Sequence, residues 1–348
     1  MGNLKQRDCR FELIRVVACI FVLGVHTMWV LTPDTGIKGV YIKVADTLFI
    51  LCNPIFFMLS GKFALRQGEF TDDSQYFRFY LKKFAYLILP MLVYMLFISA
   101  YNLKMETGSF SGLLHRATID FIAGHQASHL WFMYVLVGNV LMSPFTSKIF
   151  SSISRCGAVI FISILLLTNC LIAYSPYFFS TSFAAWVNPF VGWSLYFYMG
   201  ACVDKIFTDK KSVNILKIVG VISFLIIILK KYEFSYLNHI HDYMPSFTLF
   251  SLMVYVALTR MQFKFNEKSS WIIRFLGAQS FGIYLIHFPI VFALRDVIVI
   301  PSWFPEILFQ YVYMIIVFII SLIFSWIIGT FLLKPIQNDI EKLIAKIK

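Results

Sequence analysis

Two ionisable residues in the first hydrophobic stretch, Arg15 and His26, have types and a spacing that suit chemistry. No residue between them, over positions 16–25, carries a charge. Because eleven helical steps turn about 1100°, roughly 20° past three full turns, both side chains leave one face of a helix, about 16 Å apart along its axis. Ionisable groups inside a membrane span are costly and usually face the protein interior or a water-filled path. The pair therefore predicts a functional site.

The imidazole of His26 is the candidate general base, since a neutral imidazole near pH 7 can take a proton from a hydroxyl group. The alternative is a histidine that is hydrogen-bonded inside the protein or lies at the outer interface. Glu12 lies three residues before Arg15 and can pair with it across one helical turn, which lowers the cost of burial. An arginine this near the start of a span can also snorkel to the interface. A purely structural role for Glu12 and Arg15 thus stays open.

A second histidine in an apolar run, His287, has Tyr284 three residues earlier on the same side of a helix. Taken alone, a hydrogen-bonded structural histidine is the simpler interpretation. Trp131 is typical of the aromatic belt at a membrane interface.

The remaining histidines near the predicted outer face do not form a recognisable metal motif. His125 and His129 have the i, i+4 spacing with which two histidines can share a metal, but no third ligand is near in sequence. His239, His241 and Asp242 are interpreted as polar residues of a solvated loop. No metal is expected.

The composition is that of an integral membrane protein. Of the 348 residues, 59% are hydrophobic and 14% are charged, and the mean hydropathy is +0.77, outside the soluble range. The net charge of +12 would suit nucleic acid, but no soluble basic domain is present to form such a surface. A bias of positive residues toward the cytoplasm explains the charge better, so no nucleic-acid partner is expected.

Hydrophobic runs predict ten transmembrane helices. With a cytoplasmic N-terminus, most of the 30 Lys and Arg residues fall in inner segments, as the positive-inside rule requires. The predicted fold is therefore all-α, a single bundle of about ten transmembrane helices with both termini in the cytoplasm. Pro54 predicts a packing kink in the second span. The predicted spans are 11–31, 41–63, 84–102, 128–147, 156–175, 187–203, 213–230, 245–262, 275–295 and 307–333.

One domain over 1–348 is expected, because the longest loops, roughly 64–83 inside and 103–127 outside, are too short to fold alone. The amphipathic tail from about 334 is expected to lie along the inner membrane surface. No small-residue cleavage site follows the first apolar run, so we interpret it as a retained span. The six cysteines fall within spans or at their inner ends, and no disulfide framework is expected.

Lys82 and Lys83 open the third span at its cytoplasmic end. Such a pair can serve only to orient the helix. The functional alternative is a contact with the phosphate groups of a cytosolic donor, since ammonium groups bind phosphate as point charges. No phosphate-binding loop, nucleophile elbow or dinucleotide fingerprint is present in the sequence.

Five short strings, taken in order, resemble the membrane acyltransferase-3 family over nearly the whole chain. In that family's first helix an acidic residue and an arginine precede a histidine, as Glu12, Arg15 and His26 do here. The family's third span usually has two arginines three residues apart, where this chain has Lys83 and Tyr86, and tyrosine lacks the guanidinium fork. The strings are Glu12-Leu13-Ile14-Arg15 with His26, Phe56-Phe57-Met58-Leu59-Ser60-Gly61, Lys82-Lys83 with Pro90, Leu130-Trp131-Phe132 with Pro144, and Ser280-Phe281-Gly282-Ile283-Tyr284-Leu285-Ile286-His287.

The resemblance implies an acyl-CoA-dependent O-acetyltransferase, without the extra soluble esterase-like domain of some relatives. It implies acetyl-CoA as the donor and co-substrate, entering from the cytoplasm. Arg15, Lys82, Lys83 and Tyr86 are the residues to which the resemblance assigns donor binding.

The catalytic residues implied are His26 as general base, with Arg15 and Glu12, the latter holding the arginine. Trp131, Tyr284 and His287 are expected to line the substrate cavity. The acceptor implied is a hydroxyl group of a cell-surface or lipid-linked polysaccharide. This places the protein in the bacterial cytoplasmic (inner) membrane, with the lipid bilayer and a glycan as partners.

Two other classes of protein stay open beside the enzyme. A transporter or flippase of a lipid-linked glycan, or of its precursor, predicts inverted repeats and polar residues spread over several spans, and neither is evident in the sequence. A structural subunit of an envelope assembly complex predicts that both Arg15 and His26 tolerate alanine.

Overall fold

The described part of the chain is helical throughout and contains no strand. The computed structural model describes residues 8–34, 36–66, 70–124, 129–181, 190, 192–233, 244–295, 297–299, 301 and 303–347. Its helices are α1 (Cys9–Thr27), α2 (Ile37–Phe49), α3 (Cys52–Ala64), α4 (Asp73–Lys83), α5 (Leu89–Thr107), α6 (Leu113–Ala123), α7 (Trp131–Leu141), α8 (Ser143–Ser152), α9 (Arg155–Phe179), α10 (Ser194–Ile206), α11 (Lys210–Glu233), α12 (Pro245–Arg260), α13 (Glu267–Arg295), α14 (Glu306–Ile327) and α15 (Lys334–Lys346).

Seven helical stretches among these residues are long and apolar enough to cross a membrane. Each of the seven coincides with one of the ten predicted spans, so the all-helical, multi-pass membrane character is confirmed. The stretches are Cys9–Val30, Ile37–Ala64, Asp73–Thr107, Arg155–Pro176, Lys210–Leu229, Glu267–Arg295 and Glu306–Lys346.

The other three predicted spans, 128–147, 187–203 and 245–262, contain shorter helices. The first contains α7 of 11 residues and half of α8. The second contains most of α10 of 13 residues, and the third contains α12 of 16 residues. Crossing the hydrocarbon core takes about 20 helical residues at 1.5 Å per residue. The count of about ten spans and the cytoplasmic position of both termini therefore stay predictions.

The second span is interrupted near Pro54, as predicted, by a short turn between α2 and α3. Pro54 has no N–H group to donate to the Ile50 carbonyl, and its ring crowds that carbonyl. The helix tightens just before this point, where the Leu51 N–H donates to the Leu48 carbonyl at 3.2 Å. Residues 50–51 form a turn, and α3 begins at Cys52.

Two π-helical segments, Phe84–Ile88 and Ile328–Leu333, each end two residues before a proline. Pro90 and Pro335 are the second residues of the α-helices that follow them. A proline ring crowds the carbonyl four residues earlier, and a π-turn moves that carbonyl aside. Each segment thus lets a long helix pass a proline without a break.

The C-terminal tail forms helix α15, and its expected position along the inner membrane surface stays a prediction. Helix α15 continues the last span through the second π-helical segment, within one stretch, Glu306–Lys346. It packs against α4, where Arg78 donates to the Ile347 carbonyl. The π-turn accommodates Pro335, so the helix continues past this residue.

Packing divides the chain into two compact units of interleaved segments. The first comprises Met1–Ile42, Phe70–Val137 and Phe265–Lys348. Its core lies between α1, α13 and α14, where the Tyr313 hydroxyl donates to the Val291 carbonyl at 2.6 Å. One domain over the whole chain stays a prediction.

The second unit comprises Lys43–Glu69 and Gly138–Lys264. Within it, α3 and α10 cross at two glycines, Gly61 and Gly200. A Cβ atom on Gly61 would overlap the Phe197 carbonyl, and one on Gly200 would overlap the Met58 carbonyl. Small residues permit this close approach of two membrane helices.

Candidate active site

Helices α1 and α13 position the candidate site, and both belong to the first unit. Helix α1 begins after Asp8, whose side chain accepts the Arg10 N–H and caps the helix. The two helices lie side by side, and the Cys19 thiol is 3.7 Å from the Ser280 carbonyl. The two sequence strings that carry His26 and His287 are thereby brought together.

At the N-terminal part of α1, Glu12 and Arg15 form an ion pair across one helical turn. Glu12 is only 2% exposed, whereas the side chain of Arg15 is 29% exposed. The Glu12 carboxylate lies against Gly277 of α13, where a Cβ atom would overlap it. The pair that the spacing predicted is present, and a glycine on the neighbouring helix makes room for it.

At the other end of α1, three imidazole rings form a cluster. The ring centroid of His26 lies 5.1 Å from that of His287 and 6.1 Å from that of His129. The centroids of His129 and His287 are 4.9 Å apart. Three segments distant in sequence, namely α1, α13 and the turn before α7, thus each contribute one histidine.

The two partners of His26 are buried, and their hydrogen bonding is incomplete. His287 is 0% exposed, and its Nδ1 lies 2.6 Å from the Tyr284 carbonyl. Its Nε2 makes no hydrogen bond within the described residues, and the same holds for both ring nitrogens of His129. His26 itself is partly exposed. Buried polar atoms are normally paired, so these unpaired nitrogens indicate a place for another polar group.

Aromatic side chains hold this histidine cluster in place. The Phe288 ring stacks on His129 at 4.7 Å and meets His26 edge-on at 5.0 Å. The Tyr284 hydroxyl donates to the His129 carbonyl, and its ring meets Phe132 at 5.5 Å. Aromatic rings of α13 therefore contact the imidazoles, and Phe132 of α7 supports one of these rings.

Of the predicted cavity residues, Tyr284 and His287 lie in the cluster. Trp131 is the first residue of α7, and its ring meets that of Phe132 edge-on at 6.2 Å. His129, whose i, i+4 spacing from His125 predicts no metal site, also belongs to the cluster. His125, His239, His241 and Asp242 lie outside the described residues.

Apart from Arg15 in α1, the predicted donor-binding residues lie at and beyond the end of α4. Lys82 is exposed, and the Lys83 ammonium group lies 5.1 Å from the centre of the Phe79 ring. Tyr86 lies in the first π-helical segment and hydrogen-bonds with Glu341. Within the described chain, neither lysine pairs with a carboxylate, so both charges remain available to an anion.

No group of three or more potential ligands in the described ranges has a geometry that would hold a metal ion. The arrangement instead offers a partly exposed imidazole beside two buried ones. Such a site can accept a proton from a bound hydroxyl group.

The acyltransferase-3 family model, described as an acyltransferase domain, matches residues 10–328. The chain belongs to the acyltransferase-3 family. The match includes Glu12, Arg15 and all three clustered histidines. It supports a membrane-embedded acyltransferase with an acyl donor and an acceptor. No curated protein and no solved structure matches the chain.

Sequence reasoning did not predict that two further residues, His129 and Phe288, lie at this site. The spacing of His129 from His125 predicts no metal site, and the sequence alone does not distinguish Phe288 from the other aromatic residues. The available signal was position: His129 directly precedes the Leu130-Trp131-Phe132 string, and Phe288 directly follows His287. Only packing brings them to His26.

Proposed function

We propose that the protein is an O-acetyltransferase of the bacterial inner membrane. It moves an acetyl group from cytosolic acetyl-CoA to a hydroxyl group of a cell-surface or lipid-linked polysaccharide. The observation that carries the proposal is the partly exposed His26 ring beside two buried imidazoles, at the opposite end of α1 from Arg15.

In the proposed reaction, His26 takes the proton of the acceptor hydroxyl group as its oxygen attacks the acetyl carbonyl carbon. The new C–O bond forms and the C–S bond of the thioester breaks. The proton on His26 then passes to the departing CoA thiolate. Acetylated acceptor and CoA leave, and His26 returns to its neutral form.

Donor binding is proposed for the cationic groups at the predicted cytoplasmic end. Arg15, held by Glu12, is partly exposed and can donate hydrogen bonds to phosphate. Lys82 and Lys83 add two positive charges. The axial distance of about 16 Å between Arg15 and His26 is comparable to a pantetheine arm.

The test compares wild-type protein with His26→Ala in proteoliposomes that hold the full chain. Radiolabelled acetyl-CoA is the donor, and extracted envelope polysaccharide of the producing strain is the acceptor. We expect the variant to lose label transfer by about 100-fold or more, because general-base catalysis contributes about 10²–10⁴-fold. His115→Gln, at an exposed histidine of α6, is the matched control.

Transfer at the wild-type rate by a folded His26→Ala protein would refute the proposal. Movement of a lipid-linked glycan without consumption of acetyl-CoA would favour a flippase instead. Both outcomes are measured in the same vesicles.

A further inference from the structure

The hydrogen bond of His287 determines which of its ring nitrogens can accept a proton. A carbonyl oxygen only accepts, so Nδ1 must carry the hydrogen that it donates to the Tyr284 carbonyl at 2.6 Å. The lone pair of neutral His287 therefore lies on Nε2. This nitrogen is buried and has no partner among the described residues.

Two imidazole rings lie beside His287: the ring centroid of His129 is 4.9 Å away and that of His26, the proposed base, is 5.1 Å away. When one nitrogen of His26 acts as base, the other carries a hydrogen. An imidazole N–H···N bond of about 3 Å places the two ring centroids roughly 5 Å apart. The observed separation is 5.1 Å with the rings tilted by 42°, which matches the spacing that such a bond requires.

His129 is a poorer acceptor for the same hydrogen. Its centroid is farther from His26, at 6.1 Å, and its ring is stacked on Phe288.

We propose that His287 is the positioning residue of the site: its Nε2 accepts the N–H of His26 and leaves the other His26 nitrogen free to deprotonate the acceptor. The inference rests on the proposed function, in which His26 is the base. In the transfer step His26 gains and then returns one proton, while His287 keeps its own hydrogen on Nδ1. A base oriented by a third group is a general arrangement in nucleophilic catalysis.

Two amide variants separate this role from a merely structural one. The amide of His287→Gln reaches about as far as Nε2 and offers an oxygen acceptor there. That of His287→Asn reaches only as far as Nδ1, so it can keep the bond to the Tyr284 carbonyl but not the acceptor. If His287 positions His26, the Gln variant should be active and the Asn variant should not. If His287 only holds the Tyr284 carbonyl, the Asn variant should be active.

The experiment uses the full chain in proteoliposomes with labelled acetyl-CoA and envelope polysaccharide. We expect His287→Asn to lower kcat about 100-fold with KM for acetyl-CoA changed less than about twofold. We expect His287→Gln to retain kcat within about tenfold. ¹⁵N NMR of histidine-labelled protein, assigned with His26→Ala, should show one His26 tautomer in wild type and the Gln variant and a mixture in the Asn variant.

Wild-type kcat in His287→Asn, or an unchanged His26 tautomer in that variant, would overturn the inference. If either variant fails to fold, the ¹⁵N spectrum of the other still decides. Stoichiometric binding of a transition metal by the three histidines would overturn it as well. If His26→Ala is active, the proposed function fails instead, so the two failures are distinguishable.

Discussion

Gly277 and Glu12 show how single residues set the geometry of the site. The glycine leaves room for a buried carboxylate on the facing helix. The carboxylate in turn holds Arg15, which is otherwise a costly charge in an apolar helix. The stability of the N-terminal part of α1 should therefore depend on the size of residue 277 and on the charge of residue 12.

Gly277→Ala should destabilise the protein by about 1–3 kcal/mol, because the added Cβ overlaps the Glu12 carboxylate. A lower thermal midpoint in detergent, followed by tryptophan fluorescence, measures the effect. Gly138→Ala is the control, since nothing lies within 4 Å of its added Cβ. Equal midpoints for the two variants would contradict the prediction.

Glu12→Gln should destabilise the protein, because it removes the carboxylate that pairs with Arg15. The double variant Glu12→Gln/Arg15→Gln should recover part of the stability but not acetyl transfer. Thermal midpoints and label transfer in the four proteins of this cycle measure both effects. Acetyl transfer at the wild-type rate by the double variant would show that Arg15 is not needed for donor binding or catalysis.

Among the helices, the first π-helical segment explains a long-range contact. The Leu89 N–H donates to the Phe84 carbonyl, and Pro90 has no N–H for the carbonyl of Ala85. The side chain of Gln337 in α15 donates to that carbonyl at 3.0 Å. The tail is thereby bound to α4 and the segment after it.

Gln337→Leu should cost about 1 kcal/mol, because it leaves the buried Ala85 carbonyl without a donor. The midpoint of thermal unfolding in detergent measures the loss. Asn338→Leu, at an exposed amide one residue later, is the control. The prediction fails if the control lowers the midpoint as much.

For the whole molecule, the distribution of positive charge predicts which segments face the cytoplasm. All six cysteines are free, and Cys156, at the start of α9, is exposed. Cys156 lies at the inner end of the predicted span 156–175, whereas Ser111 lies in the predicted outer loop 103–127.

A membrane-impermeant maleimide should label Cys156 in inverted vesicles and not in intact cells. Ser111→Cys in a Cys156→Ser background should show the opposite pattern and is the matched control. One span, 128–147, is predicted between the two sites. Labelling of both sites from the same side would require an even number of crossings and would contradict that topology.

Periodicity and charge are properties of neighbouring residues, so the sequence alone was sufficient for the helical membrane fold, the Glu12–Arg15 pair and the family resemblance. It also predicted that His26 and His287 matter, but not that they meet. The histidine cluster, the fit of Gly277 against Glu12 and the unbroken tail depend on contacts between segments far apart in the chain. Such contacts are decided by how the helices pack, and only the tertiary structure contains that information.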